Sequence, residues 1–189
     1  MTVRQQWTIV GVVVAVLGAG LFAGVKLFGD ELFPVEVGSS APHFAAKDIH
    51  SGAMRSLADY RGEVVLLNVW ATYCEPCKVE MPSMEELYKT YAARGVHIVA
   101  VSIDDNVPED SIRAYAKNLG LTFEILHDPT HAIERAYQTT GYPESFVIDR
   151  EGTIRKKWIS AADWNSPANR TLFDELLGTT VPVAVKTTD

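Results

Sequence analysis

The chain carries two cysteines, Cys74 and Cys77, three positions apart. A loop that short constrains little of the unfolded chain, so the pair cannot staple a fold, and a scaffold held by many spread cysteines is excluded. What remains is a redox centre or half of a metal site. Cys74 follows an apolar run, Val64–Trp70, and Cys77 falls in the first turn of the helical stretch behind it. Unpaired N–H groups and the positive end of a helix macrodipole lower the pKa of a thiol placed there, below the free value of about 8.5. The thiolate is the attacking species in disulfide exchange, so Cys74 is the expected nucleophile. Cys77, one turn later and deeper, is the expected resolving thiol. Pro76 suits a first turn, where its missing N–H costs nothing.

Acids surround the pair. Glu75 adjoins Cys74 and disfavours its thiolate by like-charge repulsion. Glu80 lies three residues beyond Cys77 on the same helical face. Buried, it would hold a raised pKa and could exchange protons with the thiols. Both acids also suit a helix start because carboxylates favour that end, and position alone leaves Glu80 open between the two readings. His127 and His131 have helical spacing and would complete a two-Cys, two-His metal site. However, 49 residues separate Cys77 from His127, against about 12–15 in compact zinc patterns. The pair also opens an apolar helix instead of a knuckle. No metal is therefore expected, and these histidines read as loop or helix-start residues; His43, His50 and His97 carry no pattern.

The elements around the pair alternate. Val64–Trp70 reads as a buried strand, a short apolar run led by β-branched residues. A helix is expected from Pro76 to about Arg94, stopped by Gly95, and a second buried strand over His97–Ile103. Further expectations are a helix over Glu109–Asn118, a short strand over Phe123–Leu126 and a short helix over Ala132–Gln138. Strands over Ser145–Ile148 and Thr153–Trp158 are joined through Asp149–Gly152, a hairpin turn by composition. A last helix covers Ala168–Leu177. This is one α/β domain, over 41–177, with a largely parallel sheet and a terminal antiparallel hairpin. Residues 29–40, acidic and broken by Pro34 and Gly38, read as a linker, and 178–189 as a tail.

Trp7 to Phe28 contains one charge, Lys26. Twenty-two helical residues span roughly 33 Å, which matches a hydrocarbon core of about 30 Å. Trp7 suits one membrane interface and Lys26 can snorkel at the other. Arg4 precedes the run while Asp30, Glu31 and Glu36 follow it, which puts the domain on the extracytoplasmic side. A cleaved signal peptide has a shorter apolar region, of about 7–15 residues, so an uncleaved single-pass anchor over 1–28 is expected; both readings export the domain. Gly20–Gly24 matches the GxxxG helix-pairing pattern, but a Gly/Ala-rich segment yields that match by composition. All 24 acidic residues lie beyond Phe28, against 15 basic ones there. A net-acidic domain without a basic run excludes nucleic acid as a partner.

The run Val65-Leu66-Leu67-Asn68-Val69-Trp70-Ala71-Thr72-Tyr73-Cys74-Glu75-Pro76-Cys77-Lys78-Val79-Glu80-Met81-Pro82 resembles the active-site segment of the TlpA/ResA/CcmG group of thioredoxin-like proteins. The resemblance extends from Ala41-Pro42-His43-Phe44 through Gly141-Tyr142-Pro143-Glu144-Ser145 to Gly152. It implies a thioredoxin-like fold with a central helix-strand insertion at Glu109–Leu126, and a thiol-disulfide oxidoreductase with no cofactor beyond its own cysteines. It further implies a cis proline at Pro143 facing the cysteines, a functional acid at Glu80 and a second acid at Glu144. Trp70, Glu75, Pro76 and Tyr142 then belong to the active-site and docking surroundings. Asn68 replaces the buried Asp of ordinary thioredoxins, which passes proton handling to Glu80. Tyr73 replaces the usual Trp before the first cysteine, and His43 a common Asp. The partners implied are client disulfides such as those of apocytochrome c, and a membrane thiol-disulfide electron donor. A peroxiredoxin would need Thr where Ala71 stands. A copper chaperone of this fold spaces its cysteines by three residues and adds a ligand His.

Overall fold

The computed structural model describes residues 2–32 and 34–178; the side chains of residues 25–32, Lys26 among them, and the tail beyond Gly178 lie outside the described residues. The chain divides into two compact units, Met1–Pro34 and Val35–Asp189. The first is one helix, α1 (Val3–Leu32). Its stretch Val3–Gly24 is 22 residues and is long and apolar enough to cross a membrane. A helix satisfies its own backbone, the condition that hydrocarbon imposes. The helix continues through residues 29–32, which were expected to begin a linker.

The second unit is built on a seven-stranded sheet: β1 (Ala45–Asp48), β2 (Met54–Ser56), β3 (Val64–Trp70), β4 (Val96–Ser102), β5 (Glu124–His127), β6 (Glu144–Ile148) and β7 (Ile154–Ile159). Helices α2 (Glu75–Tyr91), α3 (Glu109–Asn118), α4 (Ala132–Ala136) and α5 (Pro167–Leu176) complete it. The strand order is β2-β1-β5-β4-β3-β6-β7. β3 lies near the middle, parallel to β4 and antiparallel to β6, with all seven residues buried. A strand covered on both faces reads as an unbroken apolar run, and only Asn68 departs from it here. The expectation of a largely parallel sheet is corrected. Only β3–β4 and β4–β5 are parallel, while β1–β2, β1–β5, β3–β6 and β6–β7 are antiparallel. The hairpin of β1 and β2 causes the difference, adding antiparallel strands beside β5. The insertion α3–β5 sits as expected, with β5 extending the sheet beyond β4.

Helix α2 follows β3 after a four-residue turn and buries Cys77, Met81, Met84 and Leu87, the two methionines and the leucine each worth roughly 1.5–3 kcal/mol of apolar burial. A single 3-10 turn, Ala92–Arg94, carries it to Gly95, whose φ of 91° is left-handed and ends the helical run. Val35–Ser40, expected as linker, lies along the domain. Val35 is buried, Gly38 N–H donates to Ile154 O at 2.8 Å, and Ile154 N–H donates to Ser39 O at 2.9 Å.

Candidate active site

β3 delivers the chain to the carboxyl end of the sheet, the end at which α/β proteins place their sites. Between Trp70 and α2 lies a tight turn in which Cys74 N–H donates to Ala71 O at 3.1 Å. Asp104, just past β4 and almost fully buried, fastens that turn. Its carboxylate accepts from Thr72 N at 2.9 Å, from Thr72 Oγ1 at 2.7 Å and from Ser102 Oγ at 2.7 Å. His127 Nε2 donates to the Asp104 carbonyl at 2.7 Å. His131 Nδ1 bonds the Glu134 carboxylate.

Cys74 caps α2, its sulfur accepting from Cys77 N–H at 3.2 Å, with Pro76 in the first turn. The two cysteines form a disulfide, with Cα atoms 5.3 Å apart. Cys74 is 8% exposed and Cys77 1%. Cys74 is thus the more exposed of the pair. The Cys77 N–H that caps the disulfide sulfur also stabilises a thiolate there once the bond is reduced. Glu75 and Pro76 are exposed beside it, Tyr73 is 67% exposed, and Val79 projects from the next turn.

Glu80 is 2% exposed. The Trp164 indole N–H donates to its Oε1, and Oε2 has no hydrogen-bond partner. Burial pushes its pKa up to about 7, with the indole N–H the largest opposing influence. Ser145 Oγ faces the same carboxyl and accepts from Asn68 Nδ2 at 2.8 Å, without a well-formed hydrogen bond to Glu80 itself. A carboxyl so placed holds a proton near neutrality and can pass it on.

β6 pairs with β3 so that Glu144 stands opposite Val69. This register sets Pro143 level with Trp70, beside the turn that leads to Cys74. The Tyr142–Pro143 bond is cis. The half-buried Tyr142 donates its hydroxyl to Glu134, and burial together with that carboxylate raises the phenol's pKa. Two residues expected in the active-site and docking surroundings lie beneath the surface. Trp70 is fully buried and stacks on Tyr115, with ring centroids 5.4 Å apart, because it lies on the inner strand and not on the turn. Glu144 is fully buried, accepts from Thr140 N at 2.8 Å and stands 3.2 Å from Lys157 Nζ. Both support the site from beneath. Sequence reasoning missed Asp104, Trp164 and Lys157. Only Asp104 had a signal, as an acid just past a strand's carboxyl end.

The AhpC/TSA family model matches residues 37–157. The chain is 40% identical over 142 residues to the thiol-disulfide oxidoreductase ResA of Geobacillus thermodenitrificans, covering 75% of this chain and 78% of that one. It is 41% identical over 122 residues to the thioredoxin-like protein YneN of Bacillus subtilis, covering 64% and 70%. Among solved structures, a thiol:disulfide interchange protein from Chlorobium tepidum superposes with a TM-score of 0.61 at 28% identity, over 76% of this chain and 96% of that one. StoA from Bacillus subtilis superposes with 0.56 at 25% identity, over 65% and 90%.

Proposed function

This chain belongs to the AhpC/TSA family and is a thiol-disulfide oxidoreductase of the ResA type, and on that footing we propose that it is a dithiol reductant acting outside the cytoplasmic membrane on client proteins such as apocytochrome c. The observation that carries the reading is the disulfide at the start of α2, with Cys74 the more exposed of the two cysteines and a buried acid, Glu80, three residues beyond Cys77 on the same helix.

In the reduced protein the Cys74 thiolate attacks one sulfur of a client disulfide, and the client's second sulfur leaves and takes up a proton. Cys77 gives its proton to the Glu80 carboxylate. Its thiolate then attacks Cys74 Sγ, releasing the client's first sulfur and closing the Cys74–Cys77 disulfide. Two electrons pass to the client, and a membrane thiol-disulfide donor restores the dithiol. Glu75 beside the nucleophile favours a Cys74 thiol that stays protonated until a client docks, which suits a reductant in an oxidising compartment, and the raised pKa of Glu80 suits it to take the Cys77 proton near neutrality. Exposed Tyr73, Glu75 and Pro76, with half-buried Tyr142, form the surface a client meets. Helix α1, with Arg4 before its apolar stretch and acids after it, supports a single-pass anchor with the domain outside.

Cys77→Ser expressed in native membranes tests the reading. It should accumulate a mixed disulfide through Cys74, and the trapped partner identifies the client: an apocytochrome c, or another exported protein. The reductant reading fails if no client is trapped, or if the reduction potential lies near the roughly −120 mV of strong periplasmic oxidants.

A further inference from the structure

The Glu80 carboxyl is gripped from 84 residues away in sequence. We propose that Trp164 is a positioning residue of the reaction, holding the Glu80 carboxyl in place for proton exchange with the thiols. The proposal rests on the reading of Glu80 as the proton partner of the cysteines.

Trp164 lies in the segment between β7 and α5 and is fully buried. It reaches the Glu80 turn at two points. Its indole N–H donates to Glu80 Oε1, and its backbone N–H donates to Ser83 Oγ at 3.0 Å. Ser83 Oγ in turn donates to the Glu80 carbonyl at 2.8 Å and lies 3.3 Å from Ala162 O. The segment itself is anchored: Asn169 Nδ2 donates to Asp163 O at 2.8 Å, and Lys156 Nζ donates to Asn169 Oδ1 at 2.6 Å while sitting 5.4 Å from the Trp164 ring centroid. An indole N–H can only donate, so it stabilises the carboxylate over the acid and counteracts burial. No charged side chain pairs with Glu80 among the described residues. The groups that reach it are Trp164 and Ala162 of the segment and Ser145 on β6, which accepts from Asn68 on β3; Cys77 precedes it by three residues on the same helix, and Lys156 on β7 faces the indole. Trp70 makes the contrast. It too is fully buried, yet its indole N–H has no hydrogen-bond partner.

The test uses the full-length reduced protein in detergent micelles and two variants, Trp164→Phe and Ser83→Ala. The first removes the donor and keeps most of the ring, and the second loosens the segment with little loss of volume. The pH profile of the rate at which each reduces an aromatic disulfide probe is measured, and the Trp164 indole N–H resonance is followed against pH in wild type and Glu80→Gln. Loss of one hydrogen bond to a charged group should make Glu80 hold its proton roughly tenfold more tightly, moving the rate midpoint up by about one pH unit in Trp164→Phe. Ser83→Ala should shift it less, in the same direction. The indole resonance should titrate in wild type and not in Glu80→Gln. Unchanged midpoints in both folded variants, alongside a profile that Glu80→Gln abolishes, overturn the proposal and leave the role of Glu80 standing. A profile untouched by Glu80→Gln overturns that role instead, and an indole resonance that ignores pH then removes the Trp164–Glu80 coupling as well.

Discussion

A buried carboxyl with no counter-charge is costly, and at Glu80 the cost has a direction in pH. The folded protein holds a proton on Glu80 up to about pH 7, whereas the unfolded chain releases it near the ordinary value of 4.5. Between those values the folded state binds more protons, so stability falls as pH rises. The difference amounts to roughly 3 kcal/mol once both states are ionised. Glu80→Gln should therefore gain stability relative to the native chain between pH 5 and pH 8, read by urea unfolding of the oxidised protein, while losing proton exchange with the thiols. Asp104 works oppositely, as a fastener. Asp104→Ala leaves Thr72 and Ser102 donors without their acceptor, and should destabilise by about 3 kcal/mol. It should also slow thiol-disulfide exchange, because the turn presenting Cys74 loosens. The cysteine pair and its place at a helix start were legible from spacing and the apolar run before it. Trp164 and Asp104 were not, because hydrogen bonds spanning 84 and 32 residues of sequence leave no local pattern.

Among the elements, β3, α2 and α3 were legible because each has an unbroken signal: seven apolar-led positions, a 3.6-residue periodicity, or a polar helix with a narrow apolar stripe. β1 and β2 were not. Ala45–Asp48 and Met54–Ser56 are short, and the sequence there is rich in small and charged residues. Their pairing is fixed by the strands beside them, with Lys47 opposite His127 and Asp48 opposite Leu126. Helix α2 illustrates how a helix that serves chemistry at one end is braced at the other. Glu85, 3% exposed, accepts from Thr122 N and Thr122 Oγ1, each at 2.8 Å, and so ties α2 to the chain between α3 and β5. Glu85→Ala removes the acceptor for both. It should destabilise the domain by about 2 kcal/mol, seen in thermal unfolding, with the chemistry at Cys74 retained below the transition.

For the whole molecule, α1 and the domain make separate demands on an experiment. Residues 9–23 are apolar or glycine and exposed, so the full chain should partition into detergent while a chain beginning at Val35 should remain in aqueous solution, as membrane fractionation would show. Where that shortened chain starts matters. β7 is an outermost strand, with Trp158 and Ile159 exposed on it. Val35–Ser40 lies against its first half through Gly38, Ser39 and the Ser40–Thr153 bridge. Lys157 Nζ donates to Val35 O at 3.2 Å, and Val35 N–H donates to Gln138 Oε1 at 3.2 Å. A bare strand edge is a template on which further copies can pair, and charged side chains or a covering segment are the usual protection. The stretch that looks like a linker is thus also an edge guard. A chain cut at Ala41 keeps both cysteines and the sheet but loses that guard, and light scattering should find it self-associating at concentrations where the chain beginning at Val35 stays monomeric.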